Sequence, residues 1–199
     1  MSLALLVGLL EVAAGSHTYV VDAARSRVTI EVGRAGLLKL AGHEHTVTAE
    51  GLSGEVVADP ESLARSSVRV VFAATAVKVT ASDGPADDVP KVQATMSGPR
   101  VLDVRHFPEI RFVSSAVVGN KAGADAWDIR VIGDLELHGV KRPLEVPLRV
   151  TMTGDSLTAE GTVRLHQRDF GIVPVSVGGV VKVKEELVVT FRIVAGPPR

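Results

Sequence analysis

Between Pro143 and Thr153 apolar and polar residues alternate. Leu144, Val146, Leu148, Val150 and Met152 share one face of an extended strand, and Glu145, Pro147, Arg149 and Thr151 share the other, because strand side chains alternate with a period of two. From Ser156 to His166 the rule repeats, setting Leu157, Ala159, Gly161, Val163 and Leu165 against Ser156, Thr158, Glu160, Thr162, Arg164 and His166. Shorter runs of the same kind occur at Val28-Ile30-Val32, Val68-Val70-Phe72, Ile110-Phe112, Val131-Leu135-Leu137 and Leu187-Val189-Phe191-Ile193. The pattern predicts about eight strands, each with one apolar and one wet face. The fold class is therefore all-β, an antiparallel sheet closed into a barrel.

Three stretches break the rhythm. Asp59-Pro60-Glu61-Ser62-Leu63-Ala64-Arg65 has an acidic N-cap, proline at the first helical position and arginine in the last turn, which predicts a short helix between two strands. From Asp87 to His106, Pro90, Gly98 and Pro99 sit among Val89, Val92, Met96, Val101, Leu102 and Val104; this predicts two short helices, the second stopped by Pro108. Gly178-Gly179 lies between strand-like segments and reads as a bend or bulge rather than a phosphate loop.

The chain of 199 residues has no Ser/Gly-rich or Pro-rich linker, which favours one domain over residues 16–196. Valine is the commonest residue and aromatics are 4%, so the strands carry branched aliphatic side chains suited to a pleated, half-buried surface. Basic and acidic residues nearly balance, 22 against 23, without a long Lys/Arg block; nucleic acid is excluded as the expected partner. There is no cysteine, hence no disulfide, thiolate metal site or thiol nucleophile. Residues 1–15 contain an apolar run from Leu3 to Leu10 followed by small residues, but no Lys or Arg precedes Arg25. The run is far short of the roughly 20 residues of a membrane span. It resembles part of a signal peptide with its charged start missing, which makes a periplasmic or secreted protein the expectation and a cytoplasmic one with a short N-terminal helix the alternative.

Candidate chemistry is sparse. His43 and His45 point the same way on an extended strand and with a third histidine, His106, His138 or His166, would make a zinc or copper site. Equally, they serve as polar contacts at the barrel rim, sensitive to pH near neutrality. Asp134, Glu136 and His138 fall on one face, where an acid-base set could be drawn, although His138 also suits a brace for the Gly139–Pro143 corner. Arg168-Asp169 reads as a turn or rim salt link. A nucleophile elbow, a P-loop and a dinucleotide fingerprint are all missing, so the expected protein is not an enzyme.

Several segments together resemble the YceI-like family: IGDLELHGVKRPLEVPL from Ile132, RLHQRDFGI from Arg164, FPEIRFVSS from Phe107 and YVVDAARSRVTIEV from Tyr19. Gly133, Asp134, Leu135, His138, Gly139, Val140, Pro143, Asp169, Phe170 and Gly171 carry the closest match, with Tyr19, Asp22, Ser26 and Val28 at the start. The chain departs from the family at Ala86-Asp87-Asp88-Val89-Pro90-Lys91, where many members have an Arg-Asp-x-His-Leu run. The resemblance implies a lipocalin-like closed barrel holding an isoprenoid lipid, without a cofactor.

A strand of ten to twelve residues spans roughly 33–40 Å, enough for an extended prenyl tail, and each Å² of tail removed from water contributes about 25 cal/mol. The expected wall is Val28, Ile30, Val70, Phe72, Phe112, Leu135, Leu137, Leu144, Val146, Leu148, Val163, Leu165, Phe170, Val189 and Phe191, with His43, His45 and Arg168 as candidate headgroup contacts. The competing expectations are a solid barrel whose helical insertion docks a partner, in the manner of a structural or stress-response protein, and a His-dependent metal site. A homodimer is compatible with the sequence.

Overall fold

Asp22, four residues before Ser26, ends one strand and starts another without leaving the sheet. Its carboxylate accepts from the N–H groups of Ala24 and Arg25 at 3.0 and 3.2 Å, a local turn that Asp favours. The strands on either side are β1 (His17–Val21) and β2 (Arg27–Ala35). The computed structural model describes residues 15–35, 45–82, 88–174, 176–177 and 181–198. Within these, β3 (His45–Ala49) runs into β4 (Ser53–Ala58), and β5 (Ser67–Ala73) runs through a 3₁₀ turn at Ala74–Ala76 into β6 (Val77–Ser82). There follow α1 (Val89–Ser97), β7 (Glu109–Lys121), β8 (Ala126–Leu137), β9 (Val140–Thr153), β10 (Ser156–His166), the two-residue β11 (Ser176–Val177) and β12 (Val181–Gly196).

The pairings reduce these strands to eight walls. β1 pairs β4 and β2 pairs β3, while β4 pairs β5 and β3 pairs β6, so each of the three early pairs behaves as one bent strand. Antiparallel neighbours then continue through β7, β8, β9, β10 and β12. The ring closes where β12 pairs both β1, at Val20 with Gly196, and β2, at Arg27 with Arg192. The result is the expected closed antiparallel barrel of eight strands, which leaves no sheet edge between its first and last walls.

Closure needs sharp coiling, and Gly133 shows how it is reached. A Cβ there would come within 2.7 Å of Ser114 Cα and 2.8 Å of Phe112 Cζ, beside an irregularity in the β7–β8 register between Ser114 and Ala116. On the outer face cross-strand ion pairs follow the register: Arg130 with Glu145 at 2.9 Å, Arg149 with Asp128 at 3.1 Å and Arg164 with Glu186 at 2.6 Å. Such exposed pairs contribute about 0.2–1 kcal/mol each.

Two expectations need correction. Asp59–Arg65 does not form a helix; only Leu63–Arg65 makes a 3₁₀ turn. Its N-cap is Ser62, without a side-chain cap bond; Asp59 instead closes the turn before it, accepting from Glu61 and Ser62 N–H at 3.0 and 2.8 Å, and β5 begins at Ser67, leaving no length for an α-helical turn. The span to His106 holds one α-helix among the described residues, not two. After Gly98 the chain folds back through turns, with Leu102 N–H on the Met96 carbonyl and Asp103 N–H on that of Gly98. Asp103 takes a positive φ of 44° and its carboxylate meets the His106 ring at 2.9 Å. The signal-like segment before Gly15, His43, Asp87 and Gly178-Gly179 lie outside the described residues.

The β8–β9 hairpin turns on His138 and Gly139, whose φ values are 51° and 70°; positive φ at both central residues matches the twist of antiparallel strands. The Phe107 ring lies against Gly139 so closely that a Cβ would overlap it. Gly139→Ala should therefore lose about 2–3 kcal/mol, of which 1–2 come from the left-handed backbone alone. Urea denaturation of the variant, alone and combined with Phe107→Ala, measures both parts; the second substitution should recover the steric share.

Candidate ligand cavity

The inward faces of the eight walls do not meet. They enclose a cavity of about 820 Å³ lined almost wholly by aliphatic and aromatic side chains. Along β9 the lining runs from Leu144 to Met152, about 27 Å of strand at ~3.4 Å per residue and about 21 Å along the axis at a tilt near 40°. Apolar side chains thus line the space along most of the barrel's height, which gives room for an extended hydrocarbon chain.

One end of the bore is packed shut. Leu63, on the 3₁₀ turn between β4 and β5, packs with Val117, Trp127, Ile129 and Val131, and Tyr19, Leu157 and Ala195 pack beside them. Asp59, 1% exposed, also faces the bore here. Its carboxylate accepts from Arg65 Nε at 2.7 Å as well as from the Glu61 and Ser62 amides. The Arg65 hydrogen bond, helped by those amides, outweighs desolvation and holds the Asp59 carboxyl below its ordinary range. Burial, with Asp155 nearby, pushes the Tyr19 phenol up.

The other end is covered by α1. Gln93 ties the helix to the unpaired edge of β6: Val79 N–H donates to Oε1 at 2.9 Å and Nε2 donates to the Val77 carbonyl at 3.1 Å, as a neighbouring strand would. Val92 and Met96 then face the bore, together with Val101 and Leu102 from the following turns. Asp88, Lys91, Thr95 and Gln167 give this end its polar lining.

Of the residues expected in the wall, Val28, Ile30, Val70, Phe72, Phe112, Leu135, Leu137, Leu144, Val146, Leu148, Val163, Leu165, Val189 and Phe191 line the cavity. Phe170 does not. It is buried in the core beneath the Gln167–Phe170 turn, because that turn leaves the strand alternation that placed Leu165 inward. Arg168 projects outward from the same turn, its Nε 2.8 Å from Glu185 Oε2, the salt link that the sequence suggests. His43 lies outside the described residues and His45 is described only as the first residue of β3.

The remaining histidines stand apart. His138 leaves the face of Asp134 and Glu136 because the strand ends at Leu137. Its Nδ1 donates to the Phe170 carbonyl at 3.1 Å and its ring meets Phe107 edge-on at 5.1 Å, joining two turns at the α1 end. His106 pairs with Asp103. No group of three or more His, Asp or Glu side chains converges as a metal site among the described residues, and no helix among them is long and apolar enough to cross a membrane.

Sequence reasoning missed part of the lining. Trp127, Ile129 and Val131 follow the period-two rule into the closed end, a signal that was present. Val92, Met96 and Leu63 enter from non-strand segments, and Gln167 from a turn; strand periodicity carries no signal for these.

Comparison with known proteins matches the YceI-like domain model to residues 19–195. A UPF0312 protein of Pseudomonas putida (strain W619) is 39% identical over 79 residues, 36% of this chain and 38% of that protein. One from Pseudomonas syringae pv. tomato is 38% identical over 79 residues with the same coverage. The match thus spans 38% of the length of these curated relatives. Among solved structures, Burkholderia cenocepacia BcnA has a TM-score of 0.68 at 21% identity, over 87% of this chain and 98% of that one. A polyisoprenoid binding domain from Saccharophagus degradans has a TM-score of 0.66 at 14% identity, over 90% of this chain and 98% of that one. At such identities the likeness is one of fold.

The closed end yields a pH prediction. Because the folded-state pKa of Asp59 is depressed, its contribution to stability is fully present above the unfolded carboxylate range and is lost as pH falls through the lower folded value. Asp59→Asn should melt several degrees below the wild type at neutral pH, and the two curves should converge as the pH is lowered through the carboxylate range. Thermal melts across that range by circular dichroism test this.

Proposed function

The chain belongs to the YceI-like domain family, and we propose that it binds an amphiphilic isoprenoid lipid of the quinone or polyprenyl type inside the barrel, as a carrier or store. The observation that carries this reading is the bore itself, about 820 Å³ of space lined by apolar side chains along the barrel. The printed ligand class of the Saccharophagus degradans domain, whose fold this chain shares, supports the isoprenoid class.

Binding is reversible burial. The tail leaves water at about 25 cal/mol per Å² of apolar surface, and a smooth wall of Val, Leu and Ile side chains retains it through many weak contacts rather than one strong one. A barrel solidly filled by its own side chains, acting only by docking partners on its insertion, is disfavoured by the same open bore. Catalysis is not part of the proposal. The apolar segment from Leu3 to Leu10 supports export to the periplasm or beyond, where a lipid carrier would exchange cargo with membranes.

Mass spectrometry of an organic extract from gently purified protein, expressed in its own host, tests the reading directly. A prenyl lipid near one equivalent is expected; none above a mock purification would overturn it. Leu148→Lys places an ammonium on the wall at mid-bore and should reduce bound lipid by roughly tenfold or more, since a charge buried against a hydrocarbon tail has no partner. Unchanged loading of the folded variant would rule out an interior site.

A further inference from the structure

The largest side chain that lines the cavity stands at its packed end. Trp127 follows Ala126, the first residue of β8, and shares the inward alternation of Ile129 and Val131. It is 6% exposed and packs in one cluster with Val117 and with Leu63 from the 3₁₀ turn. The ladder places Val150 opposite Trp127, Ala159 opposite Val150 and Ile193 opposite Ala159. All four line the cavity, so at this level the indole faces slender neighbours and supplies most of the bulk.

The apolar interior also ends here. Lys121 pairs with Trp127 at the last step of the β7–β8 ladder, and the hairpin turn that follows is closed by Ala122 N–H on the Ala126 carbonyl at 2.7 Å. The Lys121 ammonium lies 5.5 Å from the centroid of the indole ring. The buried Asp59 carboxylate faces the cavity at the same end, bonded to Arg65. A hydrocarbon chain pushed past Trp127 would exchange apolar contact for charged groups, and would have to part side chains that pack together.

We infer that Trp127 is the floor of the bore and sets the longest tail that it accepts. The inference rests on the lipid-binding reading above, with the free end of the tail against the indole. It bounds the ligand class in length: a tail that fits is buried whole, and each further isoprene unit stays in water at the α1 end.

Full-length protein is equilibrated with phosphatidylcholine vesicles that carry equal amounts of the all-trans prenyl alcohols from geraniol to solanesol. The vesicles are removed by flotation, and the alcohols extracted from the protein are quantified by mass spectrometry. Transfer from bilayer to bore exchanges one apolar environment for another, so alcohols that fit should load to similar extents. Beyond the limit each extra isoprene unit should lower the bound share roughly tenfold or more, because about five carbons then stay in water. Trp127→Leu removes about six non-hydrogen atoms from the floor, close to the carbon count of one isoprene unit, and should move the limit longer by about one unit. No limit in the wild type, or the wild-type limit in a folded Trp127→Leu, would overturn the assignment while leaving the bore as a lipid site. Loading of none of the alcohols would overturn the lipid-binding reading with it. A second measurement needs the wild type alone, in which Trp127 is the one tryptophan. The longest alcohol that loads, with bromine in place of a terminal methyl group, should quench its fluorescence several-fold more than the same alcohol with bromine on the first isoprene unit. Equal quenching by the two would place the end of the tail elsewhere and overturn the assignment without the variant.

Discussion

Where the last strand meets the first, the Asp22 N–H donates to the Val194 carbonyl at 2.8 Å and the Val194 N–H donates to the Ser26 hydroxyl at 3.0 Å. Val194 is 0% exposed. These bonds carry the ring across the point where β1 bends into β2 and the backbone ladder would otherwise lapse. A buried backbone group without a partner is costly. The first and last walls are thus joined by satisfied polar groups, and the interior is free to remain apolar. An open sheet of the same sequence would expose one edge along the first wall and another along β12, and its apolar face would need a second layer to cover it.

Side-chain size decides whether such a ring is solid or hollow. Eight-stranded barrels have an interior just wide enough to be filled by side chains or to hold a small ligand. Valine and leucine dominate these walls and aromatics are 4% of the chain. Most inward positions therefore reach only a short way toward the axis, with Phe72, Phe112 and Phe191 as the larger side chains among them. Trp127 and Tyr19 add bulk at the packed end.

The fold was legible because its dominant signal is local. Inward residues such as Leu144, Val146 and Leu148 obey a period of two that no tertiary contact has to establish, so the strands, their faces and most of the lining could be read from sequence. The failures occur where the chain leaves extended geometry. Phe170 has the composition of a wall residue, but a turn carries it under the barrel rim. Residues 101–106 have the apolar content of a second helix, yet Gly98 and Pro99 end α1 and the bonds from Leu102 and Asp103 fold the chain back. Gln167 has no periodic signature, and its amide is bonded to the Lys184 carbonyl, seventeen residues away in sequence. Positions fixed by long-range partners are invisible to pattern.

The two ends of the tube differ in kind, and that difference sets how a ligand could enter and leave. At the closed end, Arg65 and the Glu61 and Ser62 amides hold Asp59 in a turn that packs against β7. Opening there would break three hydrogen bonds to a buried carboxylate, although Arg65 itself is half-exposed. At the other end the principal polar tie from α1 to the barrel is the Gln93 amide, bonded to one strand edge at Val77 and Val79. Breaking two neutral hydrogen bonds costs less than breaking three to a carboxylate, because bonds to charged groups are the stronger ones. On the proposed function, exchange at the α1 end would move the tail lengthwise along the wall, surrendering apolar contact gradually rather than all at once. The polar end of such an amphiphile would be last to enter and first to meet water, the order its own solvation favours.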